Sequence, residues 1–478
     1  MEAAALEVVS TINGYLSNYV LLILLIGTGL FFTIRTRFIQ FRCFGEGWKR
    51  VFGGFSLRGG KQESGMSSFQ ALATAIAAQV GTGNIVGACG AIITGGPGAI
   101  FWMWIIALLG MATNYAEAVL AQMTKTVDEE GNVHGGPVYY IRTAFKGGFG
   151  KFLAGFFAVA IILSLGFMGC MVQSNSIAST MSTAFGIDTW IIGIAVAILA
   201  GIVFVGGVSR IASVTEKLVP LMAAIYLIGG IVILCTRLDA IPATFALIFQ
   251  CAFNPEAYFG GAVGGIIAAM TQGAKRGLFS NEAGMGSTPH AHAQANVKDP
   301  HEQGVVAFIG VFVDTIIVVS MTALVVISAV YVQDGAINTD AYGLIGSLGL
   351  DKTNMAQYAF GTMFGSGFGN VFVAICLFFF AFSTILSWNL FAKINFVYLF
   401  GKKALPIFSI LAIAFVFLGS ILSNDLVWEL QDMFNQLMVL PNVIALIAMS
   451  GAVVTCAKAH GGKKKAAELT DVDAAANE

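Results

Sequence analysis

The sequence predicts an all-α polytopic membrane protein of eleven transmembrane helices, one extra N-terminal helix followed by two inverted blocks of five. Three observations carry that expectation: too few charges for a soluble surface, eleven apolar stretches of spanning length, and a one-sided distribution of Lys and Arg. Hydrophobic types make up 57% of the 478 residues and charged types only 11%. A soluble domain carries about 25% charged residues and is about half apolar at most, so lipid is the natural solvent for most of this chain. The same composition excludes a disordered, collagen-like or disulfide-scaffold protein, and a net charge of −1 leaves no basic field for nucleic acid. The seven cysteines (43, 89, 170, 235, 251, 376, 456) have no CxxC or zinc-type spacing and read as small apolar residues. No cleavable signal peptide is expected, because the first residues carry Glu2 and Glu7 rather than a basic start.

A helix needs about 20 mostly apolar residues to cross a bilayer. Segments that meet or approach this lie near 16–36, 67–94, 97–123, 149–178, 187–206, 211–236, 262–285, 303–333, 364–400, 405–423 and 426–456. The stretch 240–260 carries Pro242 and Pro255 and reads as a short outer helix and loop. The chain then divides into an N-terminal helix with its basic loop (1–66), a first repeat (67–236), an external loop (237–261), a second repeat (262–456) and a tail (457–478).

Cytoplasmic loops carry an excess of Lys and Arg. Arg35, Arg37, Arg42, Lys49, Arg50, Arg58 and Lys61 follow the first span, and Lys458 and Lys463 to Lys465 lie in the tail. With both regions cytoplasmic, the N-terminus lies outside and the number of spans is odd. Only Arg237 and Lys352 then fall in outer loops, while the loop 334–360 carries Asp334, Asp340 and Asp351. The expected location is the cell membrane.

Two spans carry dense glycine clusters. The second reads SFQALATAIAAQVGTGNIVGACG, with Gly81, Gly83 and Gly87 at its middle; the seventh reads GGIIAAMTQGAKRGLFSNEAGMGS, with Gly273 and Gly277 at its middle. Paired interrupted spans in corresponding positions of inverted halves point to a secondary transporter's binding site; two independently kinked helices are the plainer alternative. A broken helix frees amides that suit a carboxylate and carbonyls that suit a cation. The amides of Thr82 and Gly83 are expected to face a carboxylate, and the carbonyls of Ala77 and Val80 a cation. GTGNIVG does not match a dinucleotide fingerprint, since its spacing is wrong and no strand precedes it.

The ninth span carries AFSTILSWNL. Its hydroxyls either bond back to the preceding turn or, as Ser383 and Thr384, complete an all-oxygen cation site with the carbonyls of the second span. Trp388 shares their helix face and would wall the pocket.

The run GGPGAIFWMWIIALLG (95–110) resembles the signature of the alanine or glycine:cation symporters, the sodium–alanine symporter family. SFQALATAIAAQVGTGNIVG (68–87), GMATNYAE (110–117) and HGGPVYYI (134–141) resemble further family blocks. Asn114 departs from the pattern, where a lysine stands in many members. The resemblance implies the five-plus-five inverted-repeat fold of the amino acid–polyamine–organocation superfamily. It also implies symport of alanine or glycine coupled to Na+, with no organic cofactor and no obligate protein partner. It places Ala77, Val80, Ser383, Thr384 and the Phe380 carbonyl at a sodium site. Gln79, Thr82, Gly83 and Asn84 then line the substrate pocket, with Phe167 to Gln173, Gln272 and Gly273 contributing.

Glu117, Lys275, Arg276, Glu282 and Asp314 are charges within expected spans, which are costly and invite a functional reading. All are expected in cytoplasmic halves, in a structural or inner-gate role. His290 and His292, with His301 nearby, read as a solvated loop rather than a metal site, for want of a Cys or carboxylate partner at metal spacing. The sequence KKKAAELTDVDAAANE reads as a disordered tail. Proton coupling is the nearest rival to sodium, but neither broken span offers a titratable group beside its break except Lys275 and Arg276. A channel would use similar breaks, and an intramembrane enzyme would need a His or carboxylate cluster at membrane depth.

Overall fold

The computed structural model describes residues 2–53, 66–129, 131–205, 207–254 and 265–460. Arg58, Lys61, Pro255 and the tail with Lys463 to Lys465 lie outside the described residues. In chain order come α1 (Ala4–Arg35), the short α2 (Phe44–Phe52), the pair α3 (Ser68–Gln79) and α4 (Gly83–Gly95), α5 (Ala99–Thr124) and α6 (Gly147–Phe185). There follow α7 (Thr189–Val205), α8 (Arg210–Cys235), α9 (Ala240–Cys251), α10 (Ile266–Asn281), α11 (Pro289–Ala293) and α12 (Pro300–Val330). The chain continues through α13 (Ser366–Phe400), α14 (Lys402–Gly419), α15 (Asn424–Ala448) and α16 (Ser450–Ala459). The expected short helix within 240–260 is α9.

Among the described residues, eight helices are long and apolar enough to cross a membrane, and nine when the bent pair α3–α4 counts as one. The expected spans 187–206 and 262–285 correspond to α7, of 17 residues, and α10, of 16. Each is about 25 Å long at 1.5 Å per residue, short of a hydrocarbon core of about 30 Å. Large apolar side chains stand exposed on the outer helices, among them Ile228 on α8 and Ile407 and Ile410 on α14. Such a surface belongs in lipid. The centre is made by residues 71–92, 273–295 and 380–392, each buried without interruption.

Local chemistry explains both interruptions. A capping box starts α3: Ser67 Oγ accepts from the Gln70 amide at 3.1 Å, and Gln70 Oε1 from the Ser67 amide at 3.1 Å. Val80 ends it with ψ 86°, far from helical values. After three residues α4 starts at Gly83, bent 47° from α3. The second break is not where the sequence suggested. α10 runs helically through Gly273 and Gly277 and ends at Glu282, whose φ is 60°; Gly284 and Gly286 follow at 88° and 81°. Gly273 serves packing instead, because a Cβ there would stand 2.5 Å from Trp102 Cβ and 2.7 Å from the Ala99 carbonyl oxygen. Glycine in membrane helices lets backbones approach, and that use looks the same in sequence as a break.

Beyond the breaks, Met66 and Ala295 form a parallel bridge: the Met66 amide donates to Gln294 O at 2.8 Å and the Asn296 amide to Met66 O at 2.9 Å. At the other end Gly98 opens α5 against α9, where a Cβ would lie 2.2 Å from the Cys251 carbonyl. Backbone cannot yield as a flexible side chain can. Gly98→Ala is therefore expected to destabilise the protein by about 1–3 kcal/mol, measured as a lower midpoint of thermal unfolding in detergent.

Candidate functional site

At the first break, carbonyls from α3 and α13 meet two hydroxyls. Thr384 Oγ1 lies 2.8 Å from the Ala77 carbonyl oxygen and 3.1 Å from that of Phe380. Ser383 Oγ lies 3.4 Å and 2.9 Å from the same two atoms. Each hydroxyl has one proton and two carbonyls to give it to, and keeps lone pairs besides. Ala77, Phe380, Ser383 and Thr384 thus present four converging oxygens, all from fully buried residues. Val80 adjoins them as the residue whose ψ turns its carbonyl out of the helix direction. Gly81 makes the approach of α13 possible, since a Cβ there would stand 2.4 Å from Thr384 Oγ1.

The amides of this break are held by side chains. Gln173 Oε1 accepts from the Thr82 amide at 3.0 Å, and Asn84 Oδ1 from the Gly81 amide at 2.9 Å. Gly83 packs on Phe279 and Ser280 of α10. Gln79 reaches the second break, its Nε2 donating to Asn281 O at 2.7 Å. Three polar atoms here, Gln79 Oε1, Thr82 Oγ1 and Gln173 Nε2, are buried without a hydrogen-bond partner. An unsatisfied buried group costs about 1–3 kcal/mol, so the cluster suits a polar ligand.

Trp388 is buried with its ring edge-on to Phe279 at 5.7 Å and over Gly169, and its Nε1 donates to Glu282. Gln79, Thr82, Gly83, Asn84, Gln173 and Trp388 are therefore gathered at the two breaks. Phe167, Gln272 and Gly273 are not. The Phe167 ring stacks on Phe415 of α14 at 4.7 Å, Gln272 packs against Gly95, and Gly273 faces α5. The last two follow from the later break, which leaves them inside a continuous helix.

Several residues stand elsewhere than expected. Asp314, from the middle of α12, lies on the first break, accepting from Asn84 Nδ2, from Ser280 Oγ at 2.9 Å and from Thr315 Oγ1 at 2.7 Å. Glu282 forms part of the second break. The expectation that neither broken span offers a titratable group beside its break, Lys275 and Arg276 apart, is thus corrected. Glu282 was missed because the second break was placed at Gly273 and Gly277, and Asp314 because a count along each broken helix does not include a neighbour on α12. Lys275 and Arg276 are corrected as well. Lys275 Nζ lies 2.8 Å from Asp432 Oδ2 and 3.5 Å from Glu429 Oε1, and Arg276 grips Asp432 through two nitrogens at 3.0 and 3.2 Å. Arg276 also stands 4.6 Å over the Trp428 ring, beside Lys352, which pairs with Asp425 at 2.9 Å. This cluster shares its end of the molecule with the loop 334–360, so it lies on the side expected to be outer, not cytoplasmic. His290 and His292 are fully buried rather than solvated, with Asn395 and Gln303 as partners.

Glu117 is the residue whose role the sequence hid. Its carboxylate accepts from the amides of Gly284 (3.1 Å) and Gly286 (2.9 Å) and from Asn442 Nδ2 (2.7 Å). Asn442 Nδ2 also reaches Gly284 O at 2.9 Å, and Tyr140 OH donates to Asn442 Oδ1. The signal was present as a lone acid in an apolar helix, but its partners lie far along the chain. Asn114, the departure from the family pattern, is buried between Ala307 O at 3.2 Å and Thr288 Oγ1 at 3.0 Å.

The sequence profile of the sodium:alanine symporter family matches residues 1–474. The chain belongs to that family. A sodium/alanine symporter, AgcS, of Methanococcus maripaludis is 40% identical over 96% of this chain and 98% of its own. A Bacillus subtilis relative named as a sodium/proton-dependent alanine carrier, YrbD, is 38% identical over 96% of this chain and 93% of its own. The crystal structure of MhsT in complex with L-phenylalanine superposes with a TM-score of 0.54 at 14% identity, covering 83% of this chain and all of that one. A manganese transporter from Eremococcus coleocola gives 0.51 at 15%, covering 81% and 78%. This family member therefore shares the fold of these two transporters. It is a multi-pass membrane transporter and not an enzyme.

Removing the Glu117 carboxylate would leave two buried amides and the Asn442 amide short of an acceptor, at about 1–3 kcal/mol for each group left unsatisfied. Glu117→Ala is expected to lower the unfolding midpoint in detergent well beyond an Ala substitution at exposed Met123 of the same helix. Equal midpoints for the two variants would show that the break is held by other contacts.

Proposed function

We propose that the protein carries a small neutral amino acid, alanine or glycine, into the cell together with sodium, by alternating access. What supports this most is the convergence of the Ala77 and Phe380 carbonyls with the Ser383 and Thr384 hydroxyls beside three unpartnered polar atoms. Sodium, a hard cation, takes oxygen ligands. Ala77, Val80, Phe380, Ser383 and Thr384 would supply them, with the hydroxyls turning their protons away from the ion. The substrate carboxylate would take the Thr82 amide from Gln173 and lie at the positive end of α4, with the Gly83 amide beside it. Gln173 Nε2 and Thr82 Oγ1 are then free to bond the carboxylate, and Gln79 Oε1 to accept from the ammonium group. Asn84 shapes the turn, and Trp388 limits the side chain to about a methyl group.

The two blocks, 67–236 and 262–456, each contribute one break, and their relative rocking would open the site to each side in turn. On the Lys and Arg distribution, the N-terminus would lie outside and the C-terminus in the cytoplasm. A charge crossing about 100 mV yields roughly 2.3 kcal/mol, and a tenfold sodium gradient adds about 1.4 kcal/mol.

The test is uptake of labelled alanine into proteoliposomes. Replacing sodium by choline is expected to abolish it, and Thr384→Ala to raise the half-saturating sodium concentration about tenfold or more, the loss of roughly 1.4 kcal/mol or more of ion binding. An unchanged sodium dependence in that variant would remove Thr384 from the ion site.

A second reading, proton coupling, is favoured by one observation, the Asp314 carboxylate on the first break, and by the name of the YrbD relative. The expected result is no uptake when a pH gradient is imposed without sodium. Uptake under those conditions that disappears in Asp314→Asn would replace the sodium reading.

A further inference from the structure

Where α12 begins and α16 ends, three side chains that no sequence motif links come together. His301 is in the first turn of α12, Cys456 is in α16, and His460 follows it. One donor atom from each lies within 4.8 Å of the other two. The imidazole rings of His301 and His460 are stacked with centroids 4.1 Å apart and planes 6° from parallel. Two carboxylates reach the same rings: Asp299 Oδ2 is 2.9 Å from His460 Nε2, and Glu46 Oε2 of α2 is 3.4 Å from His301 Nε2. Tyr115 OH lies 2.8 Å from His301 Nδ1 and donates to Cys456 Sγ at 3.8 Å. Cys43, Glu46 and His301 make a second group of donors with the same spacing.

We propose that His301, Cys456 and His460 form a binding site for a divalent transition-metal ion of the zinc type. Two imidazoles and a thiolate are a ligand set that zinc prefers, with a fourth position left for water. Softer N/S donors of this kind discriminate against the hard ions sodium, magnesium and calcium. Zn–N bonds of about 2.0–2.1 Å and a Zn–S bond of about 2.3 Å put tetrahedral donors about 3.4 Å apart. The three donors therefore need to close by up to about 1.4 Å, and the two stacked rings have to turn toward a common point, with Nδ1 of His301 leaving Tyr115 OH and Nδ1 of His460 leaving the Cys456 carbonyl oxygen, now 3.0 Å away. On binding, the Cys456 thiol gives its proton to solvent and both imidazoles coordinate in the neutral form. Asp299 and Glu46 offset the ion's charge and orient the rings. The His460 side chain is 26% exposed and His301 only 1%, so the ion would enter past His460. It would tie α2, the start of α12 and the C-terminal helix to one point. None of these residues takes part in the proposed transport site.

The experiment is a Co2+ titration of the full-length protein in detergent, read as the thiolate-to-cobalt charge-transfer band and the intense d–d absorption of tetrahedral cobalt, followed by displacement with Zn2+. One Co2+ per chain is expected. The charge-transfer band should vanish in Cys456→Ser and persist in Cys235→Ser, which alters an exposed cysteine elsewhere. His460→Ala changes a partly exposed residue after the last helix and does not depend on refolding the core; it should weaken cobalt binding at least about tenfold. A missing charge-transfer band in the wild type, a band that survives Cys456→Ser, or an unchanged affinity in His460→Ala would each overturn the proposal.

Discussion

A helix that is opened inside a membrane protein must find a partner for every amide and carbonyl it releases, because lipid supplies none. The rest of this structure depends on how that debt is met twice. At the first break the partners are side chains from α4, α6 and α13: Asn84, Gln173, Ser383 and Thr384. At the second they are Glu117 of α5 and Asn442 of α15. Every helix that supplies a partner is thereby fixed against a break, and the buried centre is the set of surfaces this requires.

The contrast between the two breaks is chemical. Neutral amides and hydroxyls satisfy the first, and they can be exchanged for a ligand's groups at little cost. A carboxylate bound to two backbone amides satisfies the second, and charge-assisted bonds of that kind are about twice as strong as neutral ones. The first break is built to exchange partners, and the second to keep its own. The Lys275–Arg276–Asp432 cluster adds a further restraint near α10. Buried ion pairs repay their desolvation only with good geometry, and here one carboxylate meets both cations, with Arg276 also lying over Trp428.

The sequence disclosed these features unevenly. The first break was legible because Val80 to Gly83 combine glycine with polar residues in an otherwise apolar span. Ser383 and Thr384 stood out as hydroxyls in a Phe-rich span and drew their expected role from the family resemblance, whereas Trp388 followed from its helical spacing to Thr384. Gly273 and Gly277 misled because close packing and chain reversal both call for glycine, and only tertiary context separates them. Asp314 and Glu117 were conspicuous as buried acids, yet their partners are remote in sequence, so neither depth nor role could be read from the local pattern. His301, Cys456 and His460 show the same limit more sharply, since their proximity is created by the meeting of the first turn of α12 with the end of α16. Among the described residues, the spans at α1, α5, α6, α8 and α12 to α15 were legible by hydropathy, whereas α7 and α10 are described over 17 and 16 residues, shorter than a full span.

Asp314 accepts hydrogen bonds from Asn84 at one break and Ser280 at the other, while Gln79 joins α3 directly to the backbone of Asn281. The two discontinuities are therefore geared together. A displacement at one is felt by the other through bonds of a few ångströms, without a long relay through the intervening helices. Mechanically the centre of the molecule has one joint with two arms, and any rearrangement of either arm has to be paid out through both.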